Sequence, residues 1–224
     1  MGLGRGPLSL VNQPTAELFG GTFSYCLPIL QASSASSGSL VLGKEATLST
    51  ASLKFTTLIK NPSYPSFYFV NLNGISVGDT NVPVPATTIG GGGGTIIDSG
   101  TTITHLVDSA YTALRDAFRS QIPNSQPTSS GVFDTCYDLS SSSFDVPTIT
   151  LHLDGNVDLV LPKENILFSP QSGLSCLAFS SSDSLPTSLT SLSIIGNVQQ
   201  QNLRVVFDVP NSQVGFAQEQ CTSA

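Results

Sequence analysis

Charged side chains are scarce in this 224-residue chain, and basic ones are the scarcest. Charged residues make up 10% of the sequence, with 8 Lys and Arg against 15 Asp and Glu, which gives a formal net charge of −7 at pH 7. A typical soluble domain carries about a quarter charged residues. Nucleic acids and anionic membrane surfaces are bound by clustered Lys and Arg. We therefore expect neither nucleic acid nor a membrane surface as a partner.

Long apolar runs are also missing. No run approaches the roughly 18 residues of a transmembrane helix, so no membrane span is predicted. Residues 1–10 are rich in glycine and contain no apolar signal-peptide core, so this chain has no predicted signal peptide. Few charges and widely spaced cysteines nevertheless favour an extracellular or other secretory-pathway compartment for the full-length protein.

The cysteines contain no C-x-x-C pair, which argues against a zinc site. They are Cys26, Cys136, Cys176 and Cys221. An even number permits two disulfide bridges in three alternative pairings, and free buried thiols are the other interpretation. Spacing alone does not choose between these arrangements.

Histidine occurs only at His105 and His152. Because the chain has no G-x-S-x-G sequence, it lacks the nucleophile elbow of a Ser-His-Asp hydrolase. Two histidines and no acidic cluster argue against a metal site, and we predict neither a metal nor another cofactor. Both histidines are expected to be structural or exposed.

The glycine run Gly90–Gly94 lacks the lysine of a phosphate-binding P-loop and is predicted to be a flexible loop.

Short alternating patterns separated by 14 Pro and 20 Gly predict a mostly β protein. One amphipathic helix is predicted, because apolar residues recur at spacings of three and four between residues 107 and 122. Asp108 or Ser109 is its expected N-cap, and Pro123 ends it. In the long strand pattern of residues 67–77, Asn73-Gly74 predicts either a hairpin turn or a bulge within one strand.

The segment Thr95–Thr102 places one carboxylate at the end of a short β-branched run. Such a strand delivers Asp98 inward, and Gly100 permits a tight turn after it. Backbone N–H groups and the Thr101 hydroxyl are then suited to donate to the carboxylate oxygens. By itself Asp-Ser-Gly-Thr is also an ordinary turn composition, so the motif alone does not establish a site.

Carboxylate chemistry normally needs a pair of such groups. Two aspartates about 3 Å apart cannot both ionise, so they share a proton. One acts as the general base on a bound water while the other protonates the carbonyl oxygen, and the pair titrates as a unit. The chain contains no second Asp-Thr-Gly or Asp-Ser-Gly sequence, so no partner for Asp98 is predicted within it.

Several segments together resemble the plant branch of the pepsin-like aspartic proteases, the nepenthesin-like enzymes. The resemblance covers essentially the whole chain. Gly94–Thr102 looks like the second catalytic loop of that family, and Ser193–Asn197 resembles the segment that crosses behind this loop. The other similar segments are Gly2–Val11, Phe23–Leu27, Phe67–Gly78, Val205–Asp208 and Val214–Ala217. This resemblance places Asn73-Gly74 inside a strand and so favours the bulge.

The resemblance implies a role for each residue of the loop. Asp98 would be the second catalytic aspartate, and the Ser99 hydroxyl would help to lock the two active-site loops together. The Gly100 N–H and the Thr101 hydroxyl would hold the carboxylate, and Thr102 would line the cleft. The resemblance also implies two disulfide bridges, Cys136–Cys176 and Cys26–Cys221.

The implied fold is the C-terminal lobe of the bilobal pepsin-like architecture. Residues 1–22 would be a remnant of the N-terminal lobe, and residues 23–224 would form the C-terminal lobe. The implied function is aspartic-type endopeptidase activity on a peptide or protein substrate. Because only the second catalytic aspartate is present, we expect this chain to be inactive without the missing N-terminal lobe. The alternatives are a homodimer with one aspartate per subunit, or a non-catalytic binding module similar to plant xylanase inhibitors.

Overall fold

A computed structural model describes residues 2–13, 17–29, 37–47, 52–84, 94–138, 144–171 and 173–221. Most of the predicted glycine loop lies outside these residues. The described parts form strands, numbered β1 to β18 along the chain, in four sheets. The helices are α1 (Asp108–Ser120), α2 (Lys163–Ile166) and α3 (Asn197–Gln200), with 3-10 turns at Leu10–Asn12, Lys44–Thr47, Ser182–Ser184 and Thr187–Leu189. The mostly β prediction is confirmed.

The first sheet has the order β2-β1-β17-β18-β3 and joins strands from both ends of the chain. Its strands are β1 (Thr22–Cys26), β2 (Ser39–Leu42), β3 (Lys54–Thr57), β17 (Leu203–Asp208) and β18 (Gln213–Gln218). Neighbouring strands in this sheet are antiparallel. One disulfide bridge, Cys26–Cys221, ties β1 to the segment that follows β18.

The second sheet has the order β12-β11-β5-β6. Its strands are β5 (Leu72–Val77), β6 (Thr80–Val82), β11 (Ile149–Leu153) and β12 (Val157–Leu161). Burial alternates along β11 and β12, so Ile149, Leu151 and Leu153 point into the core while the residues between them face outward. This period of two is the reason for the clear sequence signal in these strands.

The pattern at residues 67–77 contains a bulge and not a hairpin. A two-residue strand, β4 (Phe69–Val70), precedes β5, and the pairing of β5 with β11 shifts register so that Gly74 faces His152 while Leu72 faces Leu153. Asn73 is therefore the extra residue of the bulge. The hairpin interpretation is wrong, because the chain reverses only at Gly78-Asp79, between β5 and β6.

The third sheet positions the functional site and has the order β15-β8-β16-β7-β4. Its remaining strands are β7 (Thr95–Ile97), β8 (Thr104–Leu106), β15 (Phe179–Ser181) and β16 (Ser193–Ile195). The fourth sheet, of order β13-β14-β10-β9, consists of β9 (Thr128–Ser130), β10 (Phe133–Asp138), β13 (Leu167–Gln171) and β14 (Leu174–Leu177). Its strands β10 and β14 are linked by the disulfide bridge Cys136–Cys176. Both bridges implied by the resemblance are therefore present.

Helix α1 packs its apolar face against the core, with Ala110, Leu114 and Phe118 fully buried. The predicted helix is confirmed, and it ends before Pro123. Neither Asp108 nor Ser109 is the N-cap, however. The cap is Val107, because β8 runs almost directly into the helix, and the Asp108 carboxylate instead accepts a hydrogen bond from the Ser181 hydroxyl, 2.9 Å away.

Candidate active site

Strand β7 carries Asp98 to the edge of the core. Its three residues are buried, with β16 parallel on one side and β4 antiparallel on the other. A strand that pairs on both edges and is buried on both faces typically has a sequence of consecutive β-branched residues, as β7 does. The ladder continues one step beyond the strand, because the Asp98 N–H donates to the Ile195 carbonyl at 3.1 Å. The main chain of Asp98 is therefore fixed by the sheet.

The Asp98 carboxylate is held through both of its oxygens. The Gly100 N–H donates to Oδ1 at 2.8 Å, and the Thr101 hydroxyl donates to Oδ2 at 2.8 Å. A β-carbon on residue 100 would lie 3.1 Å from Oδ1, so the bare backbone of glycine allows this approach. These two hydrogen bonds fix the orientation of the carboxylate. Ser99, Gly100 and Thr102 are exposed around it.

The segment that follows β16 crosses immediately behind this loop. A β-carbon on Gly196 would lie 2.4 Å from both the carbonyl carbon and the carbonyl oxygen of Ile103, so only glycine fits at the crossing. Beyond it, the Asn197 N–H donates to the Thr101 carbonyl at 2.6 Å, and the Val198 N–H donates to the Thr102 carbonyl at 2.9 Å. The loop is thus supported by backbone hydrogen bonds from a second segment.

Asp98 opens onto a cleft with a volume of about 420 Å³. Five aromatic residues contribute to its walls. Among them, the ring of Phe207 stacks on Phe23 at 4.8 Å and packs against Tyr68 at 4.6 Å between centroids. Residues 2–4 line another side of the same cleft. The site therefore combines one oriented carboxylate with an apolar cavity beside it, which is the usual composition of a binding or catalytic site.

A buried tyrosine supports the loop from below. The Tyr25 hydroxyl donates to Gln200 Oε1, and Gln200 Nε2 donates at 2.8 Å to the Ile195 carbonyl, which also accepts the Asp98 N–H. Burial raises the pKa of Tyr25, a hydrogen bond with the Ser99 side chain opposes this, and the negative charge of Asp98 raises it further. The phenol therefore stays protonated and remains a hydrogen-bond donor.

Comparison with known proteins places this site in a family. The family model described as Xylanase inhibitor C-terminal matches residues 67–218, and the one described as Xylanase inhibitor N-terminal matches residues 1–44. The chain is 46% identical to Aspartyl protease AED3 of Arabidopsis thaliana over 99% of its length, and 45% identical to Aspartic proteinase nepenthesin-1 of Nepenthes gracilis over 99%. The chain belongs to the plant family of pepsin-like aspartic proteases.

The match to these plant aspartic proteases covers 49% of each of the two relatives, so the chain spans about half the length of the curated relatives it matches. Solved structures agree on the fold. Conglutin gamma from lupine seeds superposes with a TM-score of 0.81 at 27% identity, covering 97% of this chain and 56% of the other. Basic 7S globulin from soybean superposes with a TM-score of 0.80 at 26% identity, covering 99% and 59%. The predicted pepsin-like lobe is confirmed.

The start of the chain contributes to the cleft of this family member. The Tyr68 hydroxyl donates to the Leu3 carbonyl at 2.8 Å, and the Arg5 guanidinium lies 5.0 Å from the centre of the Tyr68 ring. Burial raises the pKa of Tyr68 to about 12, although the positive charge of Arg5 opposes the shift. The N–H of Arg5 also donates to the Ser66 carbonyl at 2.8 Å, which fixes this segment beside β4.

Three consecutive buried glutamines behind the loop did not stand out in the sequence. Gln199 accepts from both the N–H and the hydroxyl of Thr104 and donates to the carbonyls of Asn165 and Ala178. Gln200 supports Tyr25 as described above. The run of amide side chains that follows the Ile-Ile-Gly strand end was the signal for a hydrogen-bond network at this place. Amides that are buried must find hydrogen-bond partners. This network fixes α3 against β8.

The histidines lie away from the Asp98 cleft. His105 on β8 is half-buried, with Nδ1 3.4 Å from the Ser181 carbonyl and 3.3 Å from the Ser184 hydroxyl, and burial lowers its pKa. His152 lies on the outer face of the second sheet.

Within the described residues, no cluster of three or more His, Cys, Asp or Glu side chains could hold a metal ion, and no helix there is long and apolar enough to cross a membrane.

Proposed function

We propose that Asp98 is the second catalytic carboxylate of an aspartic-type endopeptidase. The observation that carries this proposal is the geometry of its carboxylate, which is gripped through both oxygens at the end of a buried strand and opens onto an apolar cleft. A carboxylate fixed in this way is preorganised for proton transfer to or from a bound water. The membership of the family and the relatives named as proteases support the same conclusion.

The dyad requires a second carboxylate close to Asp98. No other aspartate of the sequence stands in an Asp-Thr/Ser-Gly frame, so the second carboxylate has to come from outside these 224 residues. In the complete site, one carboxylate would take a proton from water while the other would protonate the carbonyl oxygen of the scissile peptide bond. The exposed Ser99 and Gly100 stand at the mouth of the cleft, where a second loop would dock.

The remaining loop residues receive roles within the same proposal. Gly100 and Thr101 hold the carboxylate, the Ser99 hydroxyl helps to lock the two active-site loops, and Thr102 lines the substrate cleft.

Residues 1–22 are the end of an N-terminal lobe and residues 23–224 form the C-terminal lobe. The start of β1 at Thr22, which pairs at once with β17 near the other end of the chain, supports this boundary. The two disulfide bridges support a secretory-pathway or extracellular compartment.

The experiment compares this chain alone with a chimera in which the first half of nepenthesin-1 precedes it. Both proteins are assayed for cleavage of a denatured protein in acid, with and without pepstatin. We expect negligible cleavage by the chain alone and pepstatin-sensitive cleavage by the chimera. Pepstatin-sensitive cleavage by the chain alone, together with a dimer in sedimentation, would instead support the homodimer with one aspartate per subunit.

A binding module is the second candidate, because the matching family models carry the description Xylanase inhibitor. This candidate predicts that the chain binds a xylanase and that Asp98→Ala leaves the affinity unchanged. The two hydrogen bonds that orient the Asp98 carboxylate have no role in that function, so the peptidase is the better account. Calorimetric titration of a xylanase with the chain and with the Asp98→Ala variant distinguishes the two.

A further inference from the structure

A serine, a histidine and an aspartate form a chain of hydrogen bonds on the second sheet. The Ser76 hydroxyl on β5 lies 2.7 Å from His152 Nε2, and His152 Nδ1 on β11 lies 2.7 Å from Asp158 Oδ1 on β12. The serine thus contacts one ring nitrogen and the aspartate the other. This connectivity is that of a nucleophile, a general base and an orienting carboxylate.

The sheet itself creates this alignment. Asp158 is the direct cross-strand partner of His152, and Gly74 is its partner on the other side. The imidazole lies over Gly74 and reaches Ser76, two residues further along β5. A β-carbon on Gly74 would lie 3.5 Å from His152 Cδ2, at ordinary contact distance. An alanine at this position would therefore also leave room for the ring position that brings Nε2 to the serine.

Ser76 is half-buried at the surface of the sheet, and none of the three residues lines the Asp98 cleft. The side chain of His152 is 35% exposed and that of Asp158 is 53% exposed. The carboxylate that directly follows β11, Asp154, accepts hydrogen bonds from the side chains of Asn71 and Asn73. Asp158 is therefore the charged group in contact with the imidazole in this part of the sheet, and it faces Nδ1.

Two hydrogen-bonding states of the array follow from the donors and acceptors. When the imidazole is neutral, its Nδ1–H donates to Asp158, and Nε2 is free to accept the Ser76 proton. When the imidazole is protonated, Nε2–H donates to Ser76, whose own proton then goes to Asn81 Oδ1 at 3.0 Å. By accepting a hydrogen bond from Nδ1–H, Asp158 favours the tautomer in which Nε2 carries no proton and can act as a base. The serine is activated only in that state.

We propose that Ser76 is a nucleophile that accepts acyl groups from small activated esters, with His152 as its general base and Asp158 as the positioning carboxylate. Ser76 Oγ would bond to the ester carbonyl carbon as its proton moves to His152 Nε2. The ester C–O bond then breaks, and that proton passes from His152 to the leaving oxygen, or to water where the leaving group departs as a phenolate. Water would later release the acyl group as a carboxylic acid by the same route. The open sheet face gives no enclosure, so only small acyl groups are expected.

The test treats the whole chain with p-nitrophenyl acetate at about pH 8 and locates the acetyl group by peptide mapping. We expect acetylation of Ser76, and about a hundredfold slower acetylation in His152→Gln, which is the scale of general base catalysis. Asp158→Asn should slow it as well. His105→Gln is the matched control and should change nothing, and pepstatin should have no effect.

Circular dichroism confirms that each variant is folded before its labelling is compared. Acetylation that appears on His152 and never passes to Ser76 would overturn the proposal. Labelling of Ser76 at the same rate in His152→Gln, or labelling spread evenly over surface residues, would overturn it too. Because the assay does not involve Asp98, its failure leaves the peptidase proposal intact.

Discussion

The crossing at Gly196 gives the sharpest stability prediction. In Gly196→Ala the new β-carbon would meet the carbonyl carbon and oxygen of Ile103 at 2.4 Å. Both are backbone atoms, so no side chain can rotate away to relieve the contact. The two segments must separate, which also strains the hydrogen bonds from Asn197 and Val198 to the Asp98 loop.

Overpacking in a core typically costs about 1–3 kcal/mol. Because the obstacle here is main chain on both sides, we expect the upper end of that range, about 3 kcal/mol in the free energy of unfolding. For a protein of this size each kcal/mol lowers Tm by about 2–4 °C. Thermal unfolding followed by circular dichroism should therefore show a Tm that is about 6–12 °C lower than that of the unsubstituted chain.

The matched control is Gly74→Ala. Its β-carbon would contact the side chain of His152 at an ordinary 3.5 Å, and this glycine is half-buried in β5, whereas Gly196 is buried. We expect its Tm to stay within about 2 °C of the unsubstituted chain, since a substitution without a steric conflict usually changes stability by less than about 0.5 kcal/mol. A Gly196→Ala variant as stable as this control would refute the close crossing behind the Asp98 loop.

Three further predictions concern polar side chains that are held by hydrogen bonds or ion pairs. Tyr25→Phe leaves Gln200 Oε1 without its donor and should lower the free energy of unfolding by about 1–3 kcal/mol in urea titrations. Glu219→Gln leaves the buried Arg204 guanidinium without its charged partner and should cost about 3 kcal/mol, whereas the double variant Arg204→Met/Glu219→Leu should be nearly neutral. Burial alone would raise the pKa of Asp134, but hydrogen bonds and nearby arginine charge outweigh it and lower that pKa. The wild type should therefore lose stability as pH falls through this lowered pKa, and Asp134→Asn, less stable at neutral pH, should lack that part of the acid-dependent loss.

Local patterns were sufficient wherever one short stretch determined the structure. The helix α1 followed from apolar spacing over a few turns, and the loop after β7 followed from its own order of residues. The bulge at Asn73 was different, because local turn chemistry favoured a hairpin equally well. Pairing with β11, some 80 residues away in sequence, decided that choice. A bulge depends on which strand lies opposite, and no single segment contains that information.

Side-chain networks between distant strands were beyond the reach of the sequence. Ser76, His152 and Asp158 meet only because three strands of one sheet align in register. In the same way, nothing near Tyr25 indicated that its hydroxyl would meet Gln200, 175 residues later. The helix cap also depended on tertiary structure, because β8 leads directly into α1 and the Asp108 side chain bonds to a neighbouring strand.

The central claim is that Asp98 performs acid–base chemistry in a peptidase dyad. Its most direct test is Asp98→Asn in the chimera with the first half of nepenthesin-1, compared with Asp79→Asn, which replaces an exposed aspartate in a turn. Cleavage of a denatured protein in acid is measured for all three proteins. We predict that Asp98→Asn lowers kcat at least about a hundredfold and that Asp79→Asn leaves it unchanged. Cleavage by the Asp98→Asn chimera at the rate of the parent would contradict the account.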